Sequence, residues 1–271
     1  MRSCGLWCAA GILLSLVGQS SLNAQTKVTV GKVRDTRMEG KHPSGMQVFL
    51  TIEDAALLQD VKSYRIVPTK ASDDLGTDLL DTTRHVLTES YQPFLSPKGL
   101  SVRLVSPPRR ATVIRELTGE IQFFVPRRDP SASVIIASFS KQPAGPIASP
   151  LLAAAGVELN LPEQTVSGIA NKGVVSASNA TLPSTVQTPS GYSIRLSYTD
   201  PNERVVGLEF ADAGGNTIRP PGSGLGHHGA VTTRHFHFRD ELADSTNLIV
   251  YLATPLAVVK VPFALTNIPL P

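Results

Sequence analysis

Apolar and polar residues alternate at a period of two through most of this chain. The pattern opens at residues 27–33, with valines at 28, 30 and 33, and resumes in Met46-Gln47-Val48-Phe49-Leu50-Thr51-Ile52. Period two sends alternate side chains to opposite faces, so such runs predict half-buried β-strands. Residues 64–67 and 100–105 read the same way, as do residues 111–125, where Ile121, Phe123 and Val125 share a face. Ser133-Val134-Ile135-Ile136-Ala137-Ser138-Phe139 reads as the strand that closes a first domain. Residues 53–60 have helical composition but span barely two turns, so they read as a helical turn crossing between sheets.

The second half alternates more cleanly. Tyr192, Ile194, Leu196 and Tyr198 oppose Ser193, Arg195 and Ser197, and Val206, Leu208 and Phe210 return after a turn at residues 200–203. Phe236 with Phe238, then Leu248, Val250 and Leu252, then Val259, Val261, Phe263 and Leu265 supply three more inward rows. Pro262 has no amide to donate, so the last strand is expected at a sheet edge or a bulge. No apolar stripe of period 3.6 is long enough for an α/β fold. The expected fold is all-β: two tandem immunoglobulin-like β-sandwich domains, with turn signals every 8–12 residues.

Two turns echo each other. Residues 71–79 pack Asp73, Asp74, Gly76 and Asp78 between apolar runs, and residues 210–218 repeat the arrangement more loosely around Asp212, Gly214 and Gly215. Asp side chains bonding their own backbone and a Gly at positive φ predict hairpin turns at both. Between them, residues 141–150 hold three prolines and little bulky apolar matter, the composition of a stiff tether. The expected division is a signal peptide over 1–24, a first sandwich over 25–140, a Pro-rich linker over 141–155 and a second sandwich over 156–271.

The N-terminus changes the compartment. Arg2, a short apolar run and the small-residue ending Leu22-Asn23-Ala24 predict a secretory signal cleaved after Ala24. The run is too short for a comfortable membrane span, so no transmembrane segment is expected after cleavage. Both cysteines, Cys4 and Cys8, lie inside it. Disulfide scaffolds, Cys nucleophiles and Cys-ligated metals are therefore excluded from the mature chain, which is expected to be secreted or periplasmic. Cleavage leaves 24 basic against 22 acidic residues, too even a balance for an obvious nucleic-acid binder. The Arg109-Arg110 and Arg127-Arg128 pairs beside prolines read as solvated turns.

Residues 71–79, followed by Arg110-Ala111-Thr112-Val113-Ile114-Arg115-Glu116-Leu117-Thr118-Gly119, resemble uncharacterised secreted bacterial β-sandwich proteins. Those proteins share an A-x-D-D-x-G-x-x-L turn and an R-x-A-x-x-I-x-x-L-x-G strand entry. The resemblance covers the first domain and implies an immunoglobulin-like sandwich without an activity.

Candidate chemistry gathers in the second half, where His227, His228, His235 and His237 lie within eleven residues. Alternation sets His235 beside His237 on one strand face with Phe236 and Phe238 on the other. An i, i+2 histidine pair can present two nitrogens to zinc or copper, and a loop histidine can add a third. The four histidines are thus candidate metal ligands; solvated surface histidines are the plainer alternative. Asp73, Asp74, Asp78 and Asp81 offer oxygens for calcium, but their spacing departs from an EF-hand and fits an Asp-rich turn. Gly222-Ser223-Gly224 lacks the strand-to-helix setting of a nucleophile elbow, and no phosphate loop or dinucleotide fingerprint occurs.

The expected function is an exported, non-enzymatic binding or structural module of the bacterial envelope or exterior. Its expected partner is an envelope protein or polysaccharide, with no cofactor and no nucleic acid. The alternative is a metal-binding protein or metal-dependent hydrolase using the histidine cluster.

Overall fold

A computed structural model describes residues 26–37, 45–80, 91–94, 96–97, 99–161 and 192–271. The expected signal peptide lies outside them, as does Asp81. In chain order the strands are β1 (Lys27–Thr36), β2 (Gly45–Glu53), β3 (Ser63–Asp73), β4 (Gln92–Pro93), β5 (Leu100–Leu104) and β6 (Val113–Phe124). There follow β7 (Ser133–Ile136), β8 (Gly145–Pro146), β9 (Glu158–Leu161), β10 (Tyr192–Thr199), β11 (Val205–Ala211) and β12 (Thr217–Ile218). The last are β13 (Gly222–His228), β14 (Val231–Phe238), β15 (Asn247–Leu252) and β16 (Val258–Pro269). Among the described residues the two short α-helices are α1 (Ala55–Leu58) and α2 (Pro150–Ala155). The fold is all-β. Among the described residues, no helix is long and apolar enough to cross a membrane.

Among the described residues, four antiparallel sheets enclose two apolar cores. The first core lies between β1-β2-β5 and β16-β6-β3-β4, and takes Met46, Val48, Leu50 and Ile52 from alternate positions of β2. α1 carries the chain from one of these sheets to the other. Asp54 caps it, accepting from the Leu57 amide at 2.9 Å and the Thr26 hydroxyl at 2.7 Å. Those bonds stabilise the charged form, so the Asp54 carboxyl titrates below its ordinary range. The second core lies between β12-β11-β15-β7 and β13-β14-β10-β9-β8. Ile194, Leu196, Tyr198, Phe236 and Phe238 enter it from the inward positions that the alternation predicts.

Strand partnership differs from the expected division. The sequence makes residues 133–139 close the first unit and residues 259–265 the second. Instead β7 pairs with β15 and packs Val134 and Ile136 into the second core. Strand β16 pairs with β6 and packs Val261, Phe263 and Ile268 into the first. Length supplies the physical reason. Strand β6 has 12 residues, and β16, also of 12, meets eleven of them. The four-residue β7 would have left most of that ladder's donors and acceptors unpaired. The second sandwich is thus inserted between two hydrogen-bonded strands of the first.

Residues 141–155 are likewise no free tether. Their Gly145-Pro146 forms β8 against β9, and Ser149 caps α2 through the Leu152 amide. Leu152 is buried in the second core, and Gly156 ends the helix at φ 73°. Proline is tolerated in β8 because that strand is the sheet's edge.

The two echoing turns share one geometry. In the first, the Thr77 and Leu75 amides donate to Asp73 Oδ1, while the Gly76 amide donates to the Asp73 carbonyl. In the second, the Asn216 amide donates to Asp212 Oδ1 and the Gly215 amide to the Asp212 carbonyl. Gly76 and Gly215 both sit at φ 82°, where a Cβ is strained. Asp74 also accepts from the amide and hydroxyl of Thr112, so the two stretches that carry the resemblance touch.

The sandwiches meet through a third apolar cluster of Phe124, Ala132, Val206, Tyr251 and Ala257. Phe124 and Tyr251 stack edge-to-face with centroids 5.8 Å apart. A bulge between Val205 and Gly207 turns Val206 toward this cluster while Val205 faces the second core. Lys62, ahead of β3, reaches Glu209 of β11 at 3.1 Å and lies 5.7 Å from the Tyr251 ring centre. The two crossing segments are tied together by Thr254 Oγ1, which donates to Asp129 Oδ2 at 2.5 Å, and by the Val125 amide, which donates to the Ala257 carbonyl at 2.8 Å.

Candidate functional site: the free edge of the five-stranded sheet

The histidine-bearing segment is a hairpin at one edge of the β13-β14-β10-β9-β8 sheet. Its loop is Gly229-Ala230, with Gly229 at φ 59° and Ala230 outside the positive-φ residues, the type II′ requirement of glycine at the first turn position. Register runs without interruption from Gly222 opposite His237 to His228 opposite Val231. Even positions of β13 therefore share a face with His235 and His237, and odd positions share a face with Phe236 and Phe238.

The hairpin separates the four candidate ligands. His235 and His237 are neighbours on the outward face, where the His237 ring shares a 2.9 Å hydrogen bond with the Ser193 hydroxyl. His228 lies on that face but pairs with Val231, four residues along from His235, about 13 Å at strand rise. His227 lies on the opposite face and shares a 3.1 Å bond with the Thr232 hydroxyl. Among the described residues no three His, Cys, Asp or Glu side chains converge as metal ligands. At the Asp-rich turn, Asp73 and Asp78 accept local amides and Asp74 accepts Thr112. Phe236 and Phe238 are 4% and 5% exposed and pack their rings on Phe210 at 5.0 and 5.1 Å.

Strand β13 itself is the feature that the histidine reading passed over. Among the described residues nothing pairs with its outer edge. All its residues after Gly222 are exposed, and Leu225 at 51% is its one large apolar side chain. Gly-Ser-Gly-Leu-Gly-His-His carries no Lys, Arg, Asp, Glu or Pro.

Other sheet edges are guarded. Strand β1 has a bulge at Gly31 with Lys32 and Arg34 beside it, and β16 carries Lys260, Pro262, Pro269 and Asn267 at φ 52°. Strands β4, β8 and β12 are two residues long, β7 is four and β5 is five with Arg103. Bulges, prolines, charges and shortness are the devices that keep edges from recruiting another strand. β13 has none of them over seven residues. Its signal in the sequence was the alternation of glycine with larger residues beside a clean strand, which reads equally well as a loop.

A cleft between β1 and the C-terminal residues is lined by Val30, Val33, Ile268 and Leu270 and has a volume of about 480 Å³. It brings together no group with evident chemistry. Comparison of the chain with protein-family models, with curated proteins and with solved structures finds no match in any of the three.

Proposed function

We propose that the chain is an exported, non-catalytic binding or structural module of the bacterial envelope or exterior. Its two sandwiches are read as immunoglobulin-like, and it takes its partner by strand addition at β13. One observation carries the reading: a seven-residue exposed edge that is free of every device the other edges use. Added strands bind through main-chain hydrogen bonds, with alternate side chains setting the choice of partner. That chemistry favours a polypeptide over a polysaccharide. The two connections between sandwiches and the cluster around Phe124 hold the frame that presents the edge.

The test is hydrogen exchange of the purified protein with and without an envelope fraction. Amides of residues 222–228 gain protection when the partner is present, while the rest of the hairpin changes little. The same measurement on L225K, which sets a charge on the edge, shows no gain. Exchange at residues 222–228 that stays as fast as in L225K at every protein concentration, with and without the envelope fraction, sinks the proposal. Export is checked by mass spectrometry, which finds Gln25 as the N-terminal residue of the exported protein; an intact Met1 refutes it.

A further inference from the structure

We infer that the strand added to β13 is β13 of a second copy of this chain, antiparallel about a two-fold axis at Leu225. The inference rests on the edge-docking reading above and names its partner. An isologous interface needs a surface that complements itself. Antiparallel pairing about Leu225 sets Gly222 against the second copy's His228, Ser223 against His227, Gly224 against Gly226 and Leu225 against Leu225. Small residues thus meet large ones at both ends.

On one face, a Cβ at Gly222 would lie 3.7 Å from His237 Cδ2, and a Cβ at Gly224 would lie 3.9 Å from His235 Cβ. With no Cβ of their own, Gly222 and Gly224 leave this side of His237 and His235 uncovered, and the pairing sets the second copy's His228 on the same face, directly opposite Gly222. On the other face, Leu225 is the exposed apolar side chain of the strand, and its own copy covers it. With no Lys, Arg, Asp or Glu in residues 222–228, the strand carries no fixed charge that would repel its own copy or select a charged foreign strand. The product is a continuous ten-stranded sheet that buries both open edges.

Sedimentation of the purified protein across the micromolar range tests this. The unaltered chain forms a concentration-dependent dimer. L225K and L225E each sediment as monomers, because like charges then stand directly opposite. Their equimolar mixture regains the dimer, because Lys then faces Glu. Position 225 is half exposed, so both variants keep the thermal melt of the unaltered protein. A monomer at all concentrations, dimers of L225K and L225E alone, or failure of the mixture to associate overturns the inference. Failure here with residues 222–228 still protected by an envelope fraction leaves the edge as a docking site for a different chain. Failure of both removes the docking reading as well.

Discussion

Phe123 and Phe124 are adjacent, and both are fully buried. A strand with one wet face would expose one of them. Phe123 lies in the first core and Phe124 in the contact between sandwiches, so both faces of β6 are covered at its end. The run Gln122-Phe123-Phe124-Val125, where alternation fails, was the trace of that contact in the sequence. The histidines of β14 show the opposite case, where alternation holds and sorts structural from solvated groups. Replacing Phe236 or Phe238 by Ala costs about 3–5 kcal/mol, since each ring packs on Phe210 in a sealed core. Replacing His235 or His237 by Ala costs within about 0.5 kcal/mol, because each faces outward from the sheet. Thermal melting of the four variants, with and without chelator, gives this ranking. A chelator-sensitive loss at His235 or His237 inverts it and restores the metal reading, since a lost ligand also loses the binding energy that supports folding.

At the scale of elements, faces were legible and partners were not. A period of two states which side chains turn inward, but any strand of suitable length and twist satisfies the same pattern. The inward rows of β10, β14 and β16 hold, and the edge position that Pro262 implies holds for β16 as well. What alternation could not carry was that β16 returns to β6 across more than 130 residues. Nor could it show that a Pro-rich stretch pairs as β8. Gly119 marks how closely the resulting sheet packs. A Cβ there would come within 2.6 Å of the Val67 carbonyl oxygen and 2.8 Å of Pro68 Cα and Phe263 Cζ. Two of those atoms are backbone, so G119A has to shift β3 against β6 and costs on the order of 1–3 kcal/mol. The denaturation midpoint falls accordingly. An unchanged midpoint contradicts the close approach.

The all-β character of the whole chain was legible, but the insertion of β7–β15 between the paired strands β6 and β16 was not. The first core takes strands from both sides of the second's sequence, so cutting near residue 140 removes from the first sandwich the 12-residue edge strand that supplies Val261, Phe263 and Ile268. Burying side chains of that size contributes roughly 1.5–3 kcal/mol each, and net domain stability is only about 5–15 kcal/mol. Residues 26–140 alone therefore fail to fold. Residues 26–125 joined to 257–271 through a short Asn-Gly turn do fold, because the chain ends at Val125 and Ala257 already lie one hydrogen bond apart, at 2.8 Å. Far-ultraviolet circular dichroism and thermal melting of the two fragments decide the matter. A cooperative transition in 26–140 with none in the joined chain would return the last strand to the second sandwich.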